Sequence, residues 1–449
     1  MLLMILLLFN KGMTHECVHD RIAKEIKHVP NHPYKEPTHS PIDGRLMQSD
    51  KRPLNIHFDF TYLDRNPDAD FVTYIKHSIL PQAQDTIKEF LYVNDTITIQ
   101  PFDRTGCDQF FAIPEYYTKT PVDADIIIFV TYEDVEESYL AYAAPCLKRS
   151  SNNRPIVGFI SINKKHVVMA KDQVDPMVYL LIHEIFHILA MSPALYDSFQ
   201  ARQPVYAKET GTFNGQQTKR WKFITPKLVE VAKEYYDCES ITGVYLENNG
   251  ATGNVASHFE KLHTGNELMV AQDVGFDTIS VFSLALFEDT GWYIVDHSKA
   301  EYLSWGKGKG CSFYNNSTCQ ETIGEYCDSH NTRNCSPDYL TKTYCLDTPY
   351  SDGCLINEYF DDFICATPHQ LQKTSLYEEV SNESRCFIDQ ARRPSKRRNS
   401  KKHALSSKFS RLRATTGCTL ANPTPELSGF TRSAFSSVRT TTFLLSLPA

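Results

Sequence analysis

The chain has 449 residues, 41% of them hydrophobic, and a formal net charge of −8. A chain of that size can bury a substantial core over two or three structural units, and its composition is ordinary for a globular protein. No internal run approaches the roughly eighteen apolar residues that cross a bilayer, so no transmembrane helix is expected.

Met1 to Phe9 has the length of a signal-peptide apolar core, and Asn10-Lys11-Gly12 follows it. His15-Glu16-Cys17-Val18-His19-Asp20 opens a polar, proline-dotted stretch that reaches about Arg52. Leu54 to Tyr62 alternates apolar and polar residues, the pattern of a half-buried strand. Ala69 to Tyr92 reads mostly as helix, interrupted at Pro81. Asp125 to Val130 and Pro155 to Ile162 are apolar runs suited to strands buried on both faces. Cys107 and Cys146 flank this strand region and are a candidate disulfide.

His183-Glu184-Ile185-Phe186-His187 is the most informative stretch. On an α-helix, imidazoles four residues apart share one face and can share one metal ion, with the intervening carboxylate nearby but not a ligand. Asp175-Pro176 reads as N-cap and first helical residue. Val178, Leu181, Ile182, Ile185, Phe186, Ile188 and Leu189 make the helix almost wholly apolar, and such a helix is buried. Buried His183, Glu184 and His187 need partners, because unpaired polar groups in a core are costly. A metal ion satisfies all three.

Catalytic zinc usually takes three protein ligands and leaves one position for water. From Tyr196 to Arg220 the only glutamate is Glu209, in the loop-like segment 208–212, so a thermolysin-type ligand helix is not evident. The compact metzincin pattern asks for glycine at 190 and histidine at 193, where this chain has Ala190 and Pro193. A longer excursion fits: Ser257-His258-Phe259-Glu260-Lys261, then Glu267-Leu268-Met269, then Phe287 to Tyr293 and Asp296 to Glu301. With Leu140 to Cys146, Pro155 to Gly158 and Cys238 to Glu247, these blocks resemble the leishmanolysin family of zinc metallopeptidases, metzincins with a long insertion before the third histidine.

The resemblance implies an α+β fold, with a metzincin-type catalytic domain built on a twisted mixed sheet and an active-site helix. It implies one zinc ion per chain, held by His183, His187 and His258, with Glu184 as general base and Met269 in the turn beneath the metal. It also suggests a pro-segment whose Cys17 could cap the metal as a cysteine switch, since a thiolate is a good fourth ligand; an ordinary disulfide or a stray thiol is the alternative reading of Cys17. His263 stays open as an alternative third ligand. The family glycine is replaced by Ala190, and an alanine held in the left-handed region costs about 1 kcal/mol, so strain is expected there.

Thr225-Pro226 starts a helix with Leu228, Val231, Ala232 and Tyr235 on one face, and Asp277 to Thr290 forms another that stops at Gly291. Nine of the 13 cysteines lie from Cys311 onward and read as a disulfide-stapled unit, which supports an oxidising compartment. Glycosylation sequons begin at Asn94, Asn315, Asn316, Asn334 and Asn382. From Ala391 to Arg413 there are ten basic residues and no acidic one, the composition of a solvated, disordered tail. The apolar end Phe443 to Ala449 is too short for a GPI-anchor signal.

The expected organisation is a signal peptide (1–13), a pro-segment (14–52), an N-terminal catalytic subdomain (53–191), an insertion (192–254), a second catalytic part (255–310), a Cys-rich region (311–390) and a tail (391–449). The expected function is that of a secreted or cell-surface zinc endopeptidase, in which metal-activated water and a glutamate base hydrolyse peptide bonds. A binding or adhesion protein that keeps the zinc site but has weakened catalysis is the alternative. Expected partners are protein or peptide substrates, and host or matrix proteins by resemblance; nucleic acid is not among them.

Overall fold

The computed structural model describes residues 17–26, 28–34, 51–95, 97–170, 174–201, 203–213, 216–248, 257–272, 277–315, 319, 324–364, 384–389 and 415–420. The expected signal peptide and the sequons at Asn316 and Asn382 lie outside these residues, as does most of the basic tail.

A short helix, α1 (His19–Glu25), opens the described chain. The residues expected to form a helix broken at Pro81 instead run on continuously. Ala69–Thr73 is α-helical, Tyr74–Ile79 makes a π turn, and α2 (Leu80–Phe90) follows. Pro81 sits in the first turn of α2, where its missing N–H is tolerated, so it causes no break.

The central sheet has strands β1 (Ile56–Asp59), β2 (Ile126–Glu133), β3 (Ala141–Lys148) and β4 (Pro155–Asn163). Their order is β1-β2-β4-β3, parallel except for β3, the antiparallel edge. Side chains alternate between the two faces of a strand. Ile126, Ile128, Val130, Ile160 and Ile162 therefore join one apolar cluster, while Ile127, Phe129, Val157 and Phe159 join another. The first cluster holds the long helix α3 (Val174–Leu189); the second includes Ile22, Ile26 and Val29 from the N-terminal segment. That segment thus covers one face of the sheet.

Helix α3 starts one residue before the expected N-cap, with Asp175 in its first turn. By length and composition Asp175–Tyr196 is apolar enough to cross a membrane, but 83% of its most apolar window is buried inside the protein, as expected of a core helix. Gly158 on β4 lets α3 lie close, because a Cβ there would overlap the Ile188 side chain.

The insertion contains a hairpin, β5 (Tyr206–Phe213) and β6 (Gln216–Phe223), then α4 (Pro226–Tyr236) and β7 (Val244–Leu246), which pairs with β6. Residues 208–212, read from sequence as loop-like, are strand: Glu209 pairs across from Arg220, and the partner strand fixes what local propensity left open. Helix α5 (Val281–Asp289) begins at Val281 rather than Asp277, because Ser280 caps it by accepting from Phe282 N–H. Asp289, at its far end, accepts from Lys227 and Leu228 N–H and so satisfies the first turn of α4.

Cys107 and Cys146 are joined. Cys311 pairs with Cys238 of the insertion rather than within the expected C-terminal unit. That unit is stapled by Cys319–Cys354, Cys327–Cys345 and Cys335–Cys386.

Arg52 and Arg154 converge on Asp125, whose side chain is fully buried. Asp125 also accepts from Asn55 N–H, and Arg52 reaches the Asp95 carbonyl. Removing the carboxylate would take the buried ion-pair partner from both guanidinium groups, leaving Arg154 with Asp95 and Arg52 with backbone carbonyls. Asp125→Ala is therefore expected to lose about 3–5 kcal/mol of stability, read as a lower denaturation midpoint; an unchanged midpoint would refute a structural role for the cluster.

Candidate metal centre

The α3 spacing puts His183 and His187 one turn apart, with their Nε2 atoms 3.0 Å from each other. The third imidazole arrives from beyond the insertion: the His258 ring centroid lies 5.3 Å from that of His183 and 4.9 Å from that of His187. Cys17 Sγ stands 3.4 Å from His187 Nε2 and 3.7 Å from Glu184 Oε1. One ligand atom from each of Cys17, His183, His187 and His258 lies within 4.8 Å of all the others. His263 is elsewhere. Its ring packs on Tyr245 and Tyr314, and its Nε2 faces the Tyr314 carbonyl. Burial, followed by the nearby Arg220 charge, pushes its pKa down to about 3.

Backbone carbonyls orient the helix pair. His183 Nδ1 lies 2.7 Å from the Leu268 carbonyl and His187 Nδ1 2.7 Å from the Met191 carbonyl. An Nδ1–H donated to a carbonyl leaves the Nε2 lone pair pointing into the cluster. Desolvation, reinforced by the neighbouring imidazoles His19, His183 and His258, lowers the His187 pKa well below its usual value, so the ring stays in the neutral form that coordinates. Burial and then the Glu184 charge raise the Cys17 thiol well above its usual pKa. A divalent ion would reverse that, because coordination deprotonates a thiol.

The donor set fits zinc. Zn–N bonds of about 2.0–2.1 Å and Zn–S bonds of about 2.3 Å give tetrahedral edges of about 3.3 Å and 3.6 Å. The separations here are 3.0 Å between imidazole nitrogens and 3.4 Å from sulfur to nitrogen. His258 Nε2 is buried and has no hydrogen-bond partner among the described residues, a cost that a metal would remove.

Met269 is 1% exposed, and its carbonyl accepts from Phe259 N–H, next to His258. Glu267 has a role that no sequence pattern signals. This fully buried carboxylate accepts from Met269 N–H, Ser280 Oγ–H and Ser283 Oγ–H, and burial raises its pKa to about 7. It fixes the turn whose Leu268 carbonyl holds His183. His19 and Asp20 also escape a reading of the sequence. The His19 ring stacks on His187 at 4.0 Å, with its nitrogens at the Ala143 carbonyl and Ser192 Oγ. Asp20 accepts from Ser257 N–H and Oγ–H. Their only sequence signal is proximity to Cys17.

The strain expected at Ala190 is absent, because its φ is not positive. The end of α3 closes instead with Ala190 and Met191 N–H both on the Phe186 carbonyl, a turn that tolerates a Cβ.

Residues 70–367 match the family model described as leishmanolysin. The chain belongs to the leishmanolysin family. Members of this family are zinc metallopeptidases. A leishmanolysin-like peptidase of Drosophila pseudoobscura pseudoobscura is 28% identical over 227 residues, which cover 42% of this chain and 33% of that protein. A leishmanolysin homolog of Crithidia fasciculata is 28% identical over 290 residues, 63% of this chain and 43% of its own length. Leishmanolysin of Leishmania chagasi is 26% identical over 302 residues, with 64% and 48% covered. The chain therefore spans about a third to a half of the length of these curated relatives. The mixed helix and sheet architecture is that of an α+β metzincin-like fold.

Proposed function

We propose that this leishmanolysin-family chain is a zinc endopeptidase of an oxidising, extracellular or surface compartment, held here in a latent form. The observation that carries the reading is the convergence of three imidazoles and one thiol beside a buried glutamate. His183, His187 and His258 would hold the ion. When bound, zinc polarises a carbonyl and lowers the pKa of water towards about 7.

Glu184 follows His183 directly on α3, and its Oε1 faces the same space as the Cys17 sulfur. Its carboxylate would take the proton of the attacking water and hand it to the departing amine nitrogen. His183 and His187 are fixed by carbonyls of the Met269 turn and the end of α3, so little reorganisation of this pair is needed when a substrate arrives. Cys17 would serve as a fourth donor to the ion and so keep out both water and substrate. The guanidinium of Arg52 is anchored at Asp125, so we place Arg52 with the folded body and the removable segment before it.

The experiment is a casein zymogram of the full chain and of Cys17→Ser, each with and without a chelator, alongside metal analysis. A hydroxyl is a poorer zinc ligand than a thiolate, so Cys17→Ser is expected to raise chelator-sensitive cleavage by about tenfold or more, equivalent to about 1.4 kcal/mol less occlusion. Zinc-free protein, or cleavage indifferent to the chelator, would refute the peptidase reading. An inert Cys17→Ser that still binds zinc would refute the switch.

A further inference from the structure

Each of the three histidines has one nitrogen in the metal cluster, and the other nitrogens are not treated alike. His183 and His187 rest on carbonyls that belong to the protein body, Leu268 and Met191. The side chains that face His258 Nδ1 among the described residues are Asp20, at 3.7 Å, and Ser257, at 3.4 Å. Asp20 belongs to the N-terminal segment that also carries Cys17. Its carboxylate is fixed in place: Oδ1 accepts from Ser257 N–H at 3.1 Å and from Ser257 Oγ–H at 2.8 Å. The Ser257 hydroxyl therefore spends its proton on Asp20. With two donors held on Oδ1, the Asp20 side chain presents its other oxygen, Oδ2, to His258 Nδ1.

A carboxylate behind a metal-binding imidazole fixes the tautomer and ring orientation and makes the inward nitrogen a better donor. We propose that Asp20 is a positioning residue for His258, so that the N-terminal segment completes the metal site as well as blocking it. This rests on the zinc reading above. The latent chain accordingly holds zinc more tightly than the protein freed of the segment, and loading is favoured before activation. Cys17 supplies a donor and Asp20 orients another, both from one short stretch whose Ile22 and Ile26 are anchored in the core. Ser257 is left as the partner of His258 once the segment departs.

The test is zinc affinity by chelator competition on the full chain, with Asp20→Asn made in both the native and the Cys17→Ser backgrounds. The second background removes the thiolate from the comparison. Loss of such an outer partner typically weakens zinc about 10–100-fold, and that drop is expected in both. Arg21→Ala serves as the control for docking, because it breaks the Arg21–Glu137 ion pair of the same helix without touching His258. It is expected to leave zinc affinity unchanged.

Zinc affinity within about threefold of the parent in folded Asp20→Asn would overturn the proposal while leaving the peptidase reading intact. So would an Arg21→Ala variant that loses as much zinc as Asp20→Asn, since docking alone would then explain the effect. A parent chain that binds no zinc would overturn both readings together.

Discussion

Glu184→Gln is expected to reduce peptide cleavage by about a hundred- to ten-thousand-fold, the contribution of a well-placed general base, while leaving zinc bound. The two parts of that result separate chemistry from coordination. Glutamine keeps the volume of the side chain and can still accept a hydrogen bond, but it cannot take up a proton at physiological pH. The three imidazoles and the groups behind them, two carbonyls and the Asp20–Ser257 pair, are untouched, so metal content is expected to stay at one ion per chain. Activity would be measured in the Cys17→Ser background, where the thiol no longer obstructs the site. Undiminished cleavage with zinc in place would remove Glu184 from the reaction; a parallel loss of zinc would make it a structural residue.

The second large effect concerns the third ligand. His258→Ala should lose zinc by more than the ~10–100-fold that follows loss of an outer partner, because a donor itself disappears. His263→Ala should keep it. His263 is buried between Tyr245 and Tyr314, away from the cluster, so its loss acts as a core truncation costing about 2–5 kcal/mol and is read as a lower melting temperature. Zinc retained in His258→Ala, or lost from folded His263→Ala, would reverse the assignment.

The contrast between these histidines shows how far sequence could reach. His183 and His187 were legible because a helix converts a four-residue spacing into a shared face, a purely local rule. His258 lies beyond the insertion, and only its surrounding family-like blocks preferred it over His263. What parts them is long-range packing: Phe259 N–H on the Met269 carbonyl and the His258 carbonyl on Glu247 N–H seat one ring at the cluster, while Tyr314 draws the other away. The strain expected at Ala190 failed for a similar reason. A sequence pattern reports which residue usually occupies a turn, but the hydrogen bonds of this particular turn decide whether a Cβ is penalised.

Strand and helix identity divide along the same line. Runs such as Ile126 to Val130 declared themselves because a strand buried on both faces needs continuous apolar residues. The 208–212 segment was opaque, since its strand character comes from Arg220 and its neighbours on the opposite strand rather than from its own side chains. The break expected at Pro81 does not occur because the proline falls in the first turn of α2, where a missing N–H is tolerated.

By itself the sequence determined the metal helix, the apolar strands and the cysteine wealth of this chain, all consequences of short-range periodicity and composition. Only the tertiary structure decided which histidine completes the cluster, that Cys311 reaches back to Cys238, and that Asp20 stands behind His258. Those outcomes depend on pairs of residues far apart in the chain, and their contacts are selected by the packing of the whole rather than by any local preference.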